Sequence, residues 1–204
     1  MDAIENLTPQ DIIQGSLDTD GACEPANLSA VLSRQNVCTR PAVASFMLDL
    51  AGYVATRPLH RLRFVDPAAG PGVIVLEAID RLLAAWRADP HAALDDLEAA
   101  IRAIEIDAAV VARLRARVRA RLGAAGLAPS DIDRLAEAWC VTGDFLDAGA
   151  EPPVDVIVAN PPFRRYDHLT TVERTRLRRD FVTFRRRCDL YVPFIEQALS
   201  RLKD

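Results

Sequence analysis

Residues Val154-Asp155-Val156-Ile157-Val158-Ala159-Asn160-Pro161-Pro162-Phe163 form an apolar run that stops abruptly at Asn-Pro-Pro-Phe. Four β-branched residues within it predict a buried strand. Neither proline can donate to a sheet ladder, so the strand ends at this point. The amide of Asn160, the carbonyl of Pro161 and the ring of Phe163 are thereby presented at the carboxyl end of a strand, which is where open α/β sheets hold their ligands.

Upstream, Leu62-Arg63-Phe64-Val65 predicts a first strand, followed by Asp66-Pro67-Ala68-Ala69-Gly70-Pro71-Gly72 and an apolar helix from about Val73 to Trp86. Gly70 and Gly72 lack a Cβ and let the chain pass close to a ligand. The residue three past Gly72 is Val75, so this is not the dinucleotide fingerprint, and with no Gly-Lys-(Ser/Thr) it is not a P-loop. A short polar helix is expected from about Ala92 to Ala99, and a second strand over Ile101–Asp107 that ends in carboxylates. Asp107 is placed to cap the helix Ala108–Leu122, and Ser130 to cap one reaching Ala138. A third strand, Trp139-Cys140-Val141, leads into Thr142-Gly143-Asp144-Phe145-Leu146. Before all of these, Val43, Phe46, Met47, Leu50 and Ala51 recur at helical spacing between Ala42 and Tyr53, with Pro41 at the helix start.

With 204 residues the chain can form one domain with a sizeable core, or a domain and a short arm. The first 30 or so residues mix turn formers with short apolar patches, and residues 1–35 are assigned to an arm. No run reaches the length of a membrane span and the start is acidic, so a cytoplasmic protein without membrane contact is expected. Cys23, Cys38, Cys140 and Cys188 are scattered, which suggests neither a metal site nor a disulfide framework. The net charge of -4 argues against a protein that coats nucleic acid non-specifically. Between Arg164 and Arg187, however, nine arginines face only Asp167, Glu173 and Asp180, a local field suited to a phosphate backbone.

Asn-Pro-Pro-(Tyr/Phe) at a strand end resembles the catalytic motif of amino-group methyltransferases that use S-adenosylmethionine, above all the DNA adenine-N6 methyltransferases of restriction–modification systems. The string from Asp66 to Gly72 is similar to that family's Asp-Pro-x-x-Gly-x-Gly turn. Glu105 matches its acid after the second strand, and Asp144-Phe145 its motif after the third. The segment around Thr39-Arg40-Pro41 resembles the family's Tyr-Thr-Pro motif, with Cys38 in the tyrosine position. Cys188-Asp189-Leu190-Tyr191 resembles its Asp-Leu-Tyr helix start. Four sites in the right order, each after a plausible strand, carry the resemblance over residues 36–202.

The resemblance implies a Rossmann-like α/β sheet with helices on both faces and S-adenosyl-L-methionine as methyl donor. Asp66 is expected to orient the donor's methionine ammonium, with Ala68, Gly70 and Gly72 passing beneath it and Thr39 touching the same end. Glu105 would take the ribose hydroxyls, Ile106 and Phe145 would pack on the adenine, and Asp144 would accept from its exocyclic amine. Asn160 and Pro161 would accept from the target amine, Pro162 completing the motif, and Phe163 would stack on an adenine flipped out of double-stranded DNA. No metal is required, and His60, His91 and His168 are assigned no catalytic role. The family continues into further strands and a target-recognition domain, so residues 36–204 are expected to be a partial catalytic domain, incomplete at its carboxyl end. A fragment, or one half of a split enzyme whose second polypeptide supplies the rest, is therefore expected. Two other readings stay open: a protein glutamine-N5 methyltransferase, and a non-catalytic cofactor- or DNA-binding remnant of a methylase.

Overall fold

The computed structural model describes residues 39–147 and 152–203. The expected arm, residues 1–35, and Cys38 lie outside them. Four strands, β1 (Phe64–Asp66), β2 (Ile101–Glu105), β3 (Cys140–Thr142) and β4 (Val156–Ile157), pair in parallel in the order β3-β2-β1-β4. Parallel neighbours need crossover connections, which here are helices. The crossovers are α2 (Val73–Ala88) after β1, and α3 (Ala108–Ala124) and α4 (Pro129–Trp139) between β2 and β3, while α1 (Pro41–Leu50) lies ahead of the sheet. Beyond β4 come α5 (Thr171–Asp180) and α6 (Tyr191–Arg201).

Alternation along the strands divides the core. Phe64, Ile101, Ala103 and Val156 pack with side chains of α1 to α4, whereas Val65 and Ile104 pack with Phe145 after β3 and with Leu177, Phe181, Phe184 and Phe194 of the α5 and α6 region. The sheet is covered on both faces, as a short apolar parallel sheet requires, and the fold is the expected Rossmann-like α/β sheet. Among the described residues no helix is long and apolar enough to cross a membrane.

The elements follow local chemistry with a few corrections. Pro41 does open α1, and the Asp107 carboxylate accepts from the Ala109 and Val110 N–H groups to cap α3. Ser130 is not the cap of α4: Pro129 stands at the first helical position and Ala128 precedes it, because proline's fixed φ and missing donor suit that place. The helix expected over Ala92–Ala99 is a single 3-10 turn, Leu94–Leu97. Trp139 ends α4 instead of opening β3, its indole N–H donating to the Leu97 carbonyl at 2.9 Å. β4 lies last in the sheet order, and on its outer side Val154 pairs in parallel with Leu202 just past α6.

Gly72 fixes how α2 leaves the sheet. It precedes the helix at φ +85°, and a Cβ there would meet Leu114 Cδ1, in the core of α3, at 2.1 Å. Gly72→Ala should therefore cost about 2–4 kcal/mol, combining left-handed strain with forced repacking of a buried leucine. The midpoint of urea unfolding checks this.

Candidate active site

β1 is the switch point of the sheet. The chain moves outward from it to β2 and β3, then returns to pair β4 on its other side, so the loops after β1 and β4 diverge and leave a crevice at the carboxyl ends. A cavity of about 310 Å³ lies there. It is lined by Asp66, Ala68 and Gly70 after β1, Glu105 and Ile106 after β2, Asp144 and Phe145 after β3, and Asn160, Pro161, Pro162 and Phe163 after β4. Thr39, ahead of α1, completes it. Of the sequence-predicted residues only Gly72 is not on the wall, because it is turned into the packing of α2 on α3. None of the three histidines lines the cavity.

The carboxylates differ in environment. Asp66 is 1% exposed and accepts from the Ala68 N–H at 3.2 Å. Burial pushes its carboxyl up to about 7, and the nearby Glu105 adds to the rise against that hydrogen bond. Glu105 spans two loops, its Oε2 accepting from the Gly70 N–H at 3.1 Å and its Oε1 from the Asp107 N–H at 3.0 Å. The acid of the second strand thus holds the glycine turn of the first. Ile106 is exposed at the cavity mouth while Phe145 is buried in its wall.

Asp144 has a partner that sequence reasoning missed. Arg176 of α5 donates from Nη2 to Asp144 Oδ2 at 3.0 Å and from Nη1 to Asp147 Oδ2 at 2.9 Å. The other Asp144 oxygen accepts from the Leu146 N–H. Arg164, directly after Phe163, forks onto Glu173 at 2.7 and 3.2 Å, and that pair holds the Glu173 carboxyl down at about 2. Glu173 closes a capping box with Thr170 at the start of α5. This box was readable as Thr-x-x-Glu, whereas the partners of Arg164 and Arg176 leave no local sequence signal.

After β4, Asn160 donates from Nδ2 to Thr39 Oγ1 at 3.2 Å, across 121 positions of sequence. Phe163 stands half exposed at the cavity edge. Asp189 accepts from the Tyr166 N–H, and the Leu190 N–H donates to the Arg164 carbonyl, both at 2.9 Å, so the Asp-Leu-Tyr segment fastens the loop that follows Phe163. The wall therefore offers buried or tethered carboxylates on one side and a planar amide beside an aromatic ring on the other. Such a site suits a ligand with one cationic end and one flat polar end, set against a second flat group.

The raised Asp66 carboxyl has a consequence for stability. Between pH ~4 and ~7 the folded chain keeps this proton while the unfolded chain has lost it, so stability falls as pH rises through that window. Asp66→Asn should leave stability little changed near pH 4 and raise it by on the order of 2 kcal/mol at pH 8. Urea midpoints at the two pH values check the sign.

The sequence model of the Eco57I restriction-modification methylase family matches residues 80–204. The type II methyltransferase M.PaeR7I of Pseudomonas aeruginosa is 38% identical over 189 residues, covering 92% of this chain and 32% of its own length. M.XhoI of Xanthomonas vasicola is 35% identical over 172 residues, covering 83% and 32%. M.BstVI of Geobacillus stearothermophilus is 30% identical over 177 residues, covering 82% and 31%. The chain thus spans about a third of the length of the curated relatives it matches. A solved Listeria monocytogenes structure, described as a predicted N6-adenine-specific DNA methylase, overlaps at 17% identity with a TM-score of 0.37, covering 72% of this chain and 40% of its own, too loosely to carry an argument. With more than half of its residues in the matched segment, the chain belongs to the Eco57I restriction-modification methylase family.

Proposed function

We propose that this chain is the catalytic portion of a DNA methyltransferase that moves a methyl group from S-adenosyl-L-methionine to the N6 amine of an adenine. The observation that carries the reading is that Asp66, Glu105 and Asp144, from three successive strand ends, border one cavity with Asn160. The type II methyltransferases among its relatives support DNA over protein as substrate.

The residues fit the methyl donor. Asp66 is a buried carboxylate whose only side-chain hydrogen bond among the described residues is to the Ala68 N–H, a group that a methionine ammonium would satisfy. Glu105 is oriented by two backbone donors and is suited to a pair of ribose hydroxyls. Ile106 and Phe145 offer apolar surface for a purine. Bound there, the donor would supply an electrophilic methyl on a sulfonium.

The chain's own part is to make a poor nucleophile attack. An aromatic amine delocalises its lone pair into the ring. Asn160 Oδ1 and the Pro161 carbonyl, accepting the two amine hydrogens, favour a tetrahedral nitrogen and stabilise the positive charge that develops there. The methylated amine, cationic and strongly acidic once the bond has formed, loses its excess proton to water, since neither amide oxygen is basic enough to keep it. Pro162 holds the turn, and Phe163 at the cavity edge offers its face to a base that has left the duplex.

The arginine-rich segment supports a DNA partner in a narrower way than its composition. Arg164, Arg176, Arg179 and Arg187 pair with carboxylates, while Arg174 and Arg178 lie against the Tyr166 ring at 4.4 and 5.8 Å. Among the described residues Arg165, Arg185 and Arg186 are exposed without a carboxylate partner, and these three are assigned to phosphates.

Asn160→Ala should lower methyl transfer to DNA at least ~100-fold while calorimetry shows donor affinity within about threefold of wild type. Transfer is measured with the chain alone and with the product of any neighbouring methylase gene added. Unchanged transfer in the variant would remove Asn160 from the mechanism. Neutralising Arg165, Arg185 and Arg186 together with glutamine should flatten the slope of log affinity for duplex DNA against log salt by about 2–3, with donor affinity unaltered. Filter binding over a salt series measures it.

A further inference from the structure

We propose that Arg176 is a positioning residue: it fixes Asp144 as the acceptor by which the site selects a 6-amino purine over a 6-oxo purine in the methyl donor. This rests on reading the cavity as the donor's site and deepens that reading. It assigns donor specificity to a side chain from the helix beyond the Asn-Pro-Pro-Phe loop.

A carboxylate selects an amine only where it is held still, because one that can pivot also turns away from an unsuitable group. Asp144 lines the cavity on the loop after β3. Its Oδ1 accepts from the Leu146 N–H at 3.0 Å, a bond within its own loop that leaves the group free to rotate about it. Its Oδ2 accepts from Arg176 Nη2 at 3.0 Å, across 32 positions of sequence. Two donors from different elements, one on each oxygen, fix the plane of the carboxylate, and each oxygen keeps a lone pair for a further donor. A group fixed in this way accepts from an exocyclic amine and repels an exocyclic carbonyl, so it both attracts one purine and penalises the other. Arg176 Nη1 donates to Asp147 Oδ2 at 2.9 Å, so the guanidinium spans two carboxylates of one loop. A lysine ammonium, a point charge on a flexible stem, does not reproduce that fork.

The guanidinium stands on a fixed base. α5 opens with the capping box of Thr170 and Glu173, and Glu173, three residues before Arg176, takes the fork of Arg164 at 2.7 and 3.2 Å. Leu177, the next residue, is buried in the core with Val65, Ile104 and Phe145. Because Arg164 follows Phe163 directly, α5 takes its place from the loop after β4 and passes it to the loop after β3. Asp147 is exposed and lies off the cavity wall, so its pairing steadies Arg176 without reaching the ligand.

The test is calorimetry on the full chain with S-adenosylhomocysteine and with S-inosylhomocysteine, which carries oxygen in place of the 6-amine. Wild type should prefer the adenosyl ligand by about tenfold to a hundredfold, the weight of one hydrogen bond to a charged acceptor. Arg176→Gln should cut that preference to about threefold or less, and Arg176→Lys, which keeps the charge and loses the fork, should do the same. Asp147→Asn lies off the cavity wall and guards against a folding defect in the Arg176 variants; it should lower the preference about twofold to fivefold. A preference that stays at the wild-type value while both affinities fall together would make Arg176 a direct contact or a plain structural support, and would overturn the proposal. A preference that rises in Arg176→Gln, or one kept in Arg176→Lys, would overturn it as well, by leaving charge and not the fork as the cause. A wild-type chain that binds both ligands alike would overturn the proposal and leave the donor site standing. One that binds neither would overturn the methyl-donor reading itself, and the proposal with it.

Discussion

The pairing of β1 with strands on both sides is the constraint from which the rest of the site follows. Phe64 is in register with Ile101 on one side and with Val156 on the other, and Ala103 with Cys140 beyond. Parallel strands in register end at the same edge, so the residues that follow each of them are delivered to one rim. Because the chain returns to the opposite side of β1 for its fourth strand, no crossover closes the rim between β1 and β4. A carboxylate, a second and third carboxylate, and an amide followed by two prolines come together for this reason, although about a hundred residues separate the first from the last.

The site stores cost that the remainder of the domain offsets. Asp66 is enclosed with one backbone donor for company, which raises its carboxyl and leaves a buried group short of a cationic partner. Glu105 is held in place by two backbone N–H groups and Asp144 by Arg176, so the acids are oriented before any ligand arrives. The support comes from the two core layers: Phe64, Ile101 and Ala103 against α1 to α4, and Val65 and Ile104 against a cluster whose Phe145 and Phe194 also line the cavity. Arg176 joins two of these regions, since it reaches from a helix after the Asn-Pro-Pro-Phe loop to the acid after β3.

What could be read from the sequence was whatever is local. Each strand end announced itself by an apolar run broken at a polar residue or proline, and Asp107 and Pro41 could be assigned as helix starts from their side chains alone. Their order then pointed to one family and to one cavity. Pairings across long stretches of chain were not legible. Nothing near Asn160 in sequence names Thr39 as its neighbour, and nothing near Arg176 distinguishes it from eight other arginines in the same segment. Charge counting accordingly overstated how many of them lack a carboxylate partner, because ion pairs with Glu173, Asp144, Asp147, Asp180 and Asp167 are properties of the fold. The errors at Ser130 and Trp139 lie at element ends, where neighbouring choices differ by one hydrogen bond and packing decides, and Ala92–Ala99 is too short a stretch to give more than one turn.

The central claim is that the rim beyond β1 to β4 is one binding site for a methyl donor beside a planar amine. A crystal structure of the chain with S-adenosylhomocysteine tests it most directly. The account predicts the amino-acid end against Asp66, the ribose at Glu105, the purine between Ile106 and Phe145, and the sulfur facing Asn160. A ligand bound outside this cavity, or one lying in it with its purine against Asn160, would contradict it.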